Sequence, residues 1–378
     1  MSAHAESVFE YGAEEMPFAR GWSYEKGTPY EEPWSDQASH GGTHALRAQG
    51  KGQWLSPPFT VTRFNWYRLD FFAKAEKPGH WAALFYDADG KDTPDHYSLF
   101  DASTDWAGHT FYFRAKANAV SCRILFHPSA AGENDPPIFI DDVKVRTISR
   151  EEVADWADGL HADVGSVAVV PDPERWNRIP RAAERLRQGG VLRVVMLGDS
   201  IVNDTGNSPW EVLAEKLYPP GTKLEVVTAV RGSTGCWYYK DENRVRAYVT
   251  DFRPDLVMIG GISNRGNVEA IASVVEQIKA WRPETEFLFM TGPCGRHGDP
   301  RNPEYAALDP KLATYRERLF AYVEERGYAL LDIEMAWRNY MAASSKPYPY
   351  FMRDELHCNE RGRQVLARVL REYFSALK

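Results

Sequence analysis

Four short motifs carry the residue types that acyl-transfer chemistry requires: Gly198-Asp-Ser-Ile201, Arg231-Gly-Ser-Thr-Gly235, Gly260-Gly-Ile-Ser-Asn264 and Asp354-Glu-Leu-His357. A serine hydroxyl is a poor nucleophile at neutral pH and needs a neighbouring base to take its proton. His357 can be that base for Ser200. Asp354, three residues before the histidine, can reach the other ring nitrogen and stabilise the imidazolium. The residue types and spacing predict a catalytic relay of these three side chains.

The same motifs offer hydrogen-bond donors for the oxyanion that forms when a carbonyl is attacked. The candidates are the backbone N–H of Ser200, the backbone N–H of Gly235 and the side-chain amide of Asn264. Losing one such donor typically raises the barrier by about 3 kcal/mol. Glycine suits the second position because no Cβ keeps the backbone away from the substrate. Ser200 also precedes a predicted helix, whose N-terminal end favours negative charge.

The elements that must position these motifs follow from the second half of the chain. Apolar, β-branched runs at 192–197, 224–230, 256–259, 287–290 and 329–333 alternate with helical patterns at 181–187, 268–281, 305–326 and 365–377. Near-continuous apolar strands separated by helices indicate a parallel sheet covered on both faces, here with five strands. Because ligands bind at the carboxyl ends of such strands, the motifs are expected to meet at one edge of the sheet.

The first half of the chain shows a different sequence pattern: short, aromatic-rich segments lie between Gly, Pro, Asp and Asn residues. Tyr67, Leu69 and Phe71 alternate with their neighbours in the period of two that a half-buried strand shows. No convincing amphipathic helix interrupts these segments, which favours an antiparallel β-sandwich over residues 1–148. A partly helical connector is predicted over 149–190, and the α/β domain over 191–378.

The four motifs together resemble those of the SGNH hydrolases, also called GDSL-type esterases, over residues from about 190 to 378. The resemblance implies a flavodoxin-like fold whose site is built from the serine, glycine, asparagine and histidine of these motifs. The third motif is one residue longer than the family's usual Gly-x-Asn-Asp, which leaves Asn267 as the alternative to Asn264. Asn359, two residues after His357, is expected to cap the last helix.

The first half more loosely resembles the jelly-roll carbohydrate-binding modules. In such modules a calcium ion is often structural, and the candidate ligands here are Glu10 with Asp141 or Asp142. Five tryptophans could form a platform for stacking sugars, although most strand aromatics of a sandwich belong to its core. They are Trp22, Trp54, Trp66, Trp81 and Trp106.

The motifs and the sandwich together predict a carboxylic ester hydrolase. The expected substrate is an acylated carbohydrate or a small ester, and the favoured reaction removes a small acyl group, such as acetyl, from a polysaccharide. No cofactor is expected for catalysis. Arg296 and His297, after the fourth strand, are candidate substrate contacts. A metal site joining His297 and Asp299 to Asp199 and His357 has no support from spacing, so no metal is expected in the catalytic domain. Two alternatives stay open: a lipase or thioesterase-type acyl hydrolase, and a non-catalytic glycan-binding protein.

The composition excludes several classes of protein. The 378 residues are 43% hydrophobic and 26% charged, which is typical of globular chains. A net charge of -8 argues against nucleic acid as the main partner, and no apolar run is long enough to span a bilayer. Four cysteines are too few for a disulfide scaffold; Cys236 and Cys358 are expected as buried thiols, with a disulfide as the alternative. The first residues lack a secretory signal, which leaves open an intracellular protein or one whose leader was removed.

Overall fold

The computed structural model describes residues 6–25, 33–129, 132, 135–166, 169–293, 299–302 and 310–375, the side chains of 310–313 excepted. The chain divides into two compact units, Met1–Val153 and Ala154–Lys378. The boundary falls inside the first α-helix, α1 (Arg150–Ala162). The remainder of the region predicted as a connector contains α2 (Arg175–Arg178) and α3 (Pro180–Arg187), which belong to the second unit.

The N-terminal unit is built from strands that pair only in antiparallel fashion in its described part. The strands are β1 (Ser7–Tyr11), β2 (Ser23–Glu25), β3 (Trp34–Ser35), β4 (Ala45–Ala48), β5 (Gln53–Leu55), β6 (Phe59–Thr60), β7 (Trp66–Ala75), β8 (Gly79–Tyr86), β9 (His96–Phe100), β10 (Ser103–Arg114), β11 (Ser121–Pro128) and β12 (Ile138–Ile148). One sheet has the order β10-β7-β12-β4-β3, with β1 also paired to β12. The other has the order β2-β5-β11-β8-β9, with β6 also paired to β11.

Alternation of side chains explains why these strands form two layers. Along β7, Leu69 and Phe71 are buried while Arg68 and Asp70 are only half-buried. The inward-facing side chains of both sheets join in one apolar core. The predicted antiparallel sandwich is therefore confirmed.

Most of the tryptophans considered as a sugar platform belong to the interior of this unit. Trp22, Trp54, Trp66 and Trp81 are buried, with at most 3% of each exposed. Trp106 is half-buried, and its ring lies 5.9 Å from that of His40. The four buried rings cannot stack on a sugar, so a glycan-binding role could rest only on Trp106 among these five.

The C-terminal unit is an α/β layer structure. Its strands are β13 (Val191–Gly198), β14 (Lys223–Val230), β15 (Leu256–Ile259), β16 (Glu286–Met290) and β17 (Ala329–Leu331). Its further helices are α4 (Ser200–Asn207), α5 (Trp210–Glu215), α6 (Cys236–Tyr239), α7 (Arg244–Tyr248), α8 (Val268–Trp281), α9 (Pro310–Arg326), α10 (Ile333–Ala343) and α11 (Glu360–Tyr373). The predicted helix over 305–326 begins at Pro310 in the described part of the chain, since 303–309 lie outside it.

The five strands form one parallel sheet in the order β14-β13-β15-β16-β17, which confirms the predicted sheet and its flavodoxin-like arrangement. The strand order reverses around β13, and the crevice of such a sheet lies there, at the carboxyl ends. The last strand is shorter than predicted. Asp332 caps α10 by accepting the N–H of Met335, so the apolar pattern continues past Leu331 into a helix.

None of the helices in the described residues is long and apolar enough to cross a membrane.

Candidate active site

Ser200 lies at the point where the buried strand β13 turns into α4. The preceding residue, Asp199, caps the helix: its Oδ1 accepts the N–H of Ile201 at 3.0 Å and that of Val202 at 3.4 Å. An N-cap carboxylate satisfies helix N–H groups that have no partner within the helix. The strand, the cap and the helix together fix the backbone of Ser200 at the carboxyl end of β13.

Asp199 also ties this turn to the loop after β15. Its Oδ2 accepts the N–H groups of Ile262 and Ser263, both at 2.8 Å. Gly261 makes this approach feasible, because its φ is +96° and a Cβ there would lie 2.5 Å from Asp199 Oδ1. One buried carboxylate thus holds the serine turn and the Asn264 loop in a fixed relation. In the sequence, Asp199 is a residue of the first motif and a member of the metal site that the spacing does not support, and neither pattern predicts this role.

The structure brings Ser200, His357 and Asp354 into one line of contacts. Ser200 Oγ lies 2.9 Å from His357 Nε2, although 157 residues separate them in the chain. His357 Nδ1 lies 2.9 Å from each carboxylate oxygen of Asp354. Asp354 Oδ1 also accepts the backbone N–H groups of Leu356 and His357, both at 2.8 Å, which fixes the carboxylate within its own turn.

The electrostatics keep the Asp354 carboxylate ionised. Partial burial opposes ionisation, but the hydrogen bonds from the His357 ring and from the backbone N–H groups of Leu356 and His357 outweigh it and hold the pKa of Asp354 well below its usual range. A fixed negative charge therefore lies beside the ring nitrogen that faces away from Ser200. That is the arrangement in which an imidazole can gain a proton at low cost.

Gly235 and Asn264 meet beside the serine turn. Asn264 is 2% exposed, and its Oδ1 accepts the N–H of Cys236 at 2.8 Å. A Cβ at position 235 would lie 2.6 Å from that oxygen and 2.8 Å from the carbonyl oxygen of Ser263, so the close packing requires glycine. Asn267, the alternative to Asn264, instead caps α8 through the N–H of Ala270.

Two further residues at the site were missed from the sequence. Tyr315 on α9 is buried; burial raises the pKa of its hydroxyl, and a hydrogen bond with the Asn264 side chain opposes the rise. Asp204 lies one helical turn after Ser200 and contacts the backbone of Cys358, next to His357. The spacing of four residues after Ser200 is the one sequence signal that could have indicated Asp204.

The remaining predictions for this site concern the candidate substrate contacts and two cysteines. Arg296 and His297 lie outside the described residues, and Asp299 pairs with Arg301. Cys236 and Cys358 are free and buried, so the alternative of a disulfide between them is wrong. Burial raises the pKa of Cys236 to about 12, which leaves its thiol unreactive at neutral pH.

The calcium ligands suggested for the sandwich have other partners. Glu10 lies across from Lys144 on the neighbouring strand, with their charged atoms 3.4 Å apart. Asp141 is buried and accepts the N–H groups of His40 and Gly41, and Asp142 lies 2.7 Å from the His40 ring. Among the described residues, no group of three or more His, Cys, Asp or Glu side chains is arranged to hold a metal ion.

Residues 196–365 match the model of the GDSL-like Lipase/Acylhydrolase family, which confirms the resemblance for this part of the C-terminal unit. Among curated proteins the sequence has no match. A solved two-domain esterase active on acetylated mannans is 17% identical, with 53% of this chain and 52% of that chain covered and a TM-score of 0.40. The CBM22-1 xylan-binding domain of Xyn10C from Paenibacillus barcinonensis is 10% identical, with 39% and 99% covered and a TM-score of 0.32.

Proposed function

We propose that this protein, whose C-terminal unit holds a GDSL-like acylhydrolase domain, is a serine esterase that uses Ser200 as its nucleophile. One observation carries the proposal: the 2.9 Å contact from Ser200 Oγ to His357 Nε2 continues through the ring to the Asp354 carboxylate at 2.9 Å. A hydroxyl in hydrogen-bonding contact with an imidazole that is itself held by a carboxylate is the arrangement that activates serine.

The proposed reaction has two halves. Ser200 Oγ attacks the ester carbonyl while His357 Nε2 takes its proton, and the ionised Asp354 stabilises the imidazolium that forms. The imidazolium then gives the proton to the leaving alkoxide, which breaks the ester bond and leaves an acyl group on Ser200. Water attacks this acyl group with His357 again as the base, and the acid and the free serine are released.

The proposed oxyanion site uses the ends of three neighbouring strands. The N–H of Ser200 lies at the start of α4, where the helix favours negative charge. Gly235 follows β14 and Asn264 follows β15, and the two pack against each other. The contacts of Asp199 with both the serine turn and the Asn264 loop support a preorganised set of donors, which is what stabilises a developing oxyanion.

We extend the proposal to the substrate: an acylated carbohydrate, with acetyl as the group removed. The support is the β-sandwich that accompanies the catalytic unit, together with half-buried aromatic rings on it. Trp34 stacks on His44 with ring centroids 4.0 Å apart, and Trp106 lies beside His40. Aromatic rings at a surface supply the apolar faces on which sugar rings pack.

The test is an acetate-release assay across acetylated plant and microbial polysaccharides, with the Ser200→Ala protein as the blank. The proposal expects acetate from at least one polysaccharide and a kcat at least about a thousandfold lower in the variant. Near-normal turnover by Ser200→Ala would refute the mechanism. A clear preference for long-chain over short-chain nitrophenyl esters would refute the carbohydrate substrate and favour a lipase.

A further inference from the structure

A buried carboxylate that the proposed relay does not use lies on the same helix as Ser200. Asp204 is four residues after Ser200 in α4, so both side chains lie on one face of that helix. Only 1% of Asp204 is exposed. A carboxylate is buried this completely only where other groups compensate its charge, so its partners indicate what it does.

The partners of Asp204 bracket the loop that carries Asp354 and His357. Its Oδ2 accepts the N–H of Cys358, the residue after His357, at 3.0 Å. Its Oδ1 lies 3.0 Å from the guanidinium of Arg353, the residue before Asp354. The loop is closed at its base by the N–H of Arg353, which donates to the carbonyl of His357 at 2.9 Å. One side chain therefore contacts the loop immediately before and immediately after its two functional residues.

The same carboxylate also reaches the helix that follows the loop. Arg363 on α11 is fully buried and donates to Asp204 Oδ1 at 2.7 Å and to Glu360 at 2.7 Å. Arg353 also lies 3.7 Å from Asp354, so two guanidinium groups face the carboxylates of Asp204, Glu360 and Asp354. Burial alone would raise the pKa of Asp204, but Arg353 and Arg363 hold it below its usual value, so the carboxylate stays ionised.

We propose that Asp204 is a positioning residue: it fixes the loop bearing Asp354 and His357 to the helix bearing Ser200, and so sets the distance between Ser200 Oγ and His357 Nε2. This inference rests on the proposed esterase function. A displacement of about 1 Å between reacting groups can cost about a hundredfold in rate. Asp204 Oδ1 contacts the guanidinium groups of Arg353 and Arg363, and Oδ2 accepts the backbone N–H of Cys358. An apolar side chain of similar size could make none of these polar contacts.

The experiment compares Asp204→Asn with Thr205→Val in the full chain, using nitrophenyl acetate. Asparagine keeps the size of the side chain but turns one acceptor into a donor facing guanidinium or N–H groups. Thr205 is buried in the same helix, and its hydroxyl donates to the carbonyl of Ile201 at 3.0 Å, within the helix itself, so Thr205→Val is a matched control. We expect kcat to fall about a hundredfold in Asp204→Asn with KM within about twofold, and to stay near wild type in the control.

A double-mutant cycle separates positioning from a general loss of structure. If Asp204 acts through His357, Asp204→Asn should not lower the residual rate of His357→Ala any further. A further loss of about a hundredfold in that background would overturn the proposal, as would a wild-type kcat in folded Asp204→Asn. If Asp204→Asn does not fold by circular dichroism, Arg353→Met removes one contact of Asp204 and leaves Arg363 in place. Because the Arg353 guanidinium also lies 3.7 Å from Asp354, this variant is measured in the Asp354→Asn background as well, and folded Arg353→Met must lower kcat in both backgrounds for the proposal to stand.

Failure of this inference is distinguishable from failure of the esterase proposal. An active Ser200→Ala protein would refute the esterase mechanism itself. An inactive Ser200→Ala protein together with a fully active, folded Asp204→Asn protein would refute only the positioning role.

Discussion

Replacing Asp354 by asparagine tests the electrostatic part of the relay. Both carboxylate oxygens lie 2.9 Å from His357 Nδ1, so asparagine places an N–H donor against that nitrogen and favours the tautomer with the proton on Nε2. In that tautomer the ring cannot accept the proton of Ser200. The substitution also removes the negative charge that stabilises the imidazolium.

The magnitude follows from the exposure of the carboxylate. With charge centres roughly 4 Å apart, the attraction is about 1 kcal/mol in water and about 4 kcal/mol at an effective dielectric constant of about 20. Asp354 is 49% exposed, so its attraction for the His357 imidazolium lies between these two values. Adding the tautomer effect, we expect kcat for nitrophenyl acetate to fall roughly 100- to 1000-fold, less than the about 10⁴-fold loss typical of a buried triad aspartate.

The control for this variant is Glu355→Gln, which removes an exposed carboxylate next to Asp354. Its kcat should stay within about twofold of wild type, because a solvated charge that does not contact the ring contributes little. The reasoning would be refuted if Asp354→Asn kept its kcat within about threefold of wild type, or if the two variants lost activity equally.

Three more predictions follow from the site. Asn264→Ala should lower kcat roughly 100- to 1000-fold through the loss of an oxyanion donor, measured as single-turnover acylation, and an unchanged acylation rate would contradict the proposed donor. Gly261→Ala should unfold at a lower temperature than Gly266→Ala, because both have positive φ but only the first places a Cβ 2.5 Å from Asp199; equal melting temperatures would contradict this contact. Because hydrogen bonds lower the pKa of Asp354 against the opposing effect of burial, its contribution to stability is full above about pH 4 and is lost as the pH falls towards the lowered value. The difference in melting temperature between wild type and Asp354→Asn should therefore narrow below about pH 4, and a constant difference would show that the carboxylate is not held ionised.

Much of the catalytic unit could be predicted because its signals are local. A buried parallel strand is a run of apolar residues, so the run at 192–197 marks β13 and places Ser200 directly after it. The apolar stripe of the last helix and the cap at Asn359 are likewise read from neighbouring residues, and the structure confirms the cap through the N–H groups of Arg361 and Gly362. The parallel arrangement of the strands then brings their carboxyl ends together.

What could not be predicted depends on contacts between distant segments. Asp199 has the sequence signal of a helix cap, but its second oxygen binds a loop more than sixty residues away. In the sequence Asp204 is one polar residue of a helix. Its role depends on Arg353 and Arg363, which lie about 150 residues away in the chain and contact it only in the folded protein. Strand pairing in the sandwich, such as β1 with β12, joins the two ends of the unit, and alternation within a strand does not specify its partner.

The most direct test of the central claim is covalent labelling of the intact protein by a fluorophosphonate ester, followed by mass spectrometry of its peptides. We expect a single adduct on Ser200, with loss of esterase activity in step with labelling and no adduct in the Ser200→Ala protein. A protein that hydrolyses esters while Ser200 stays unmodified, or that is labelled at another residue instead, would contradict this claim.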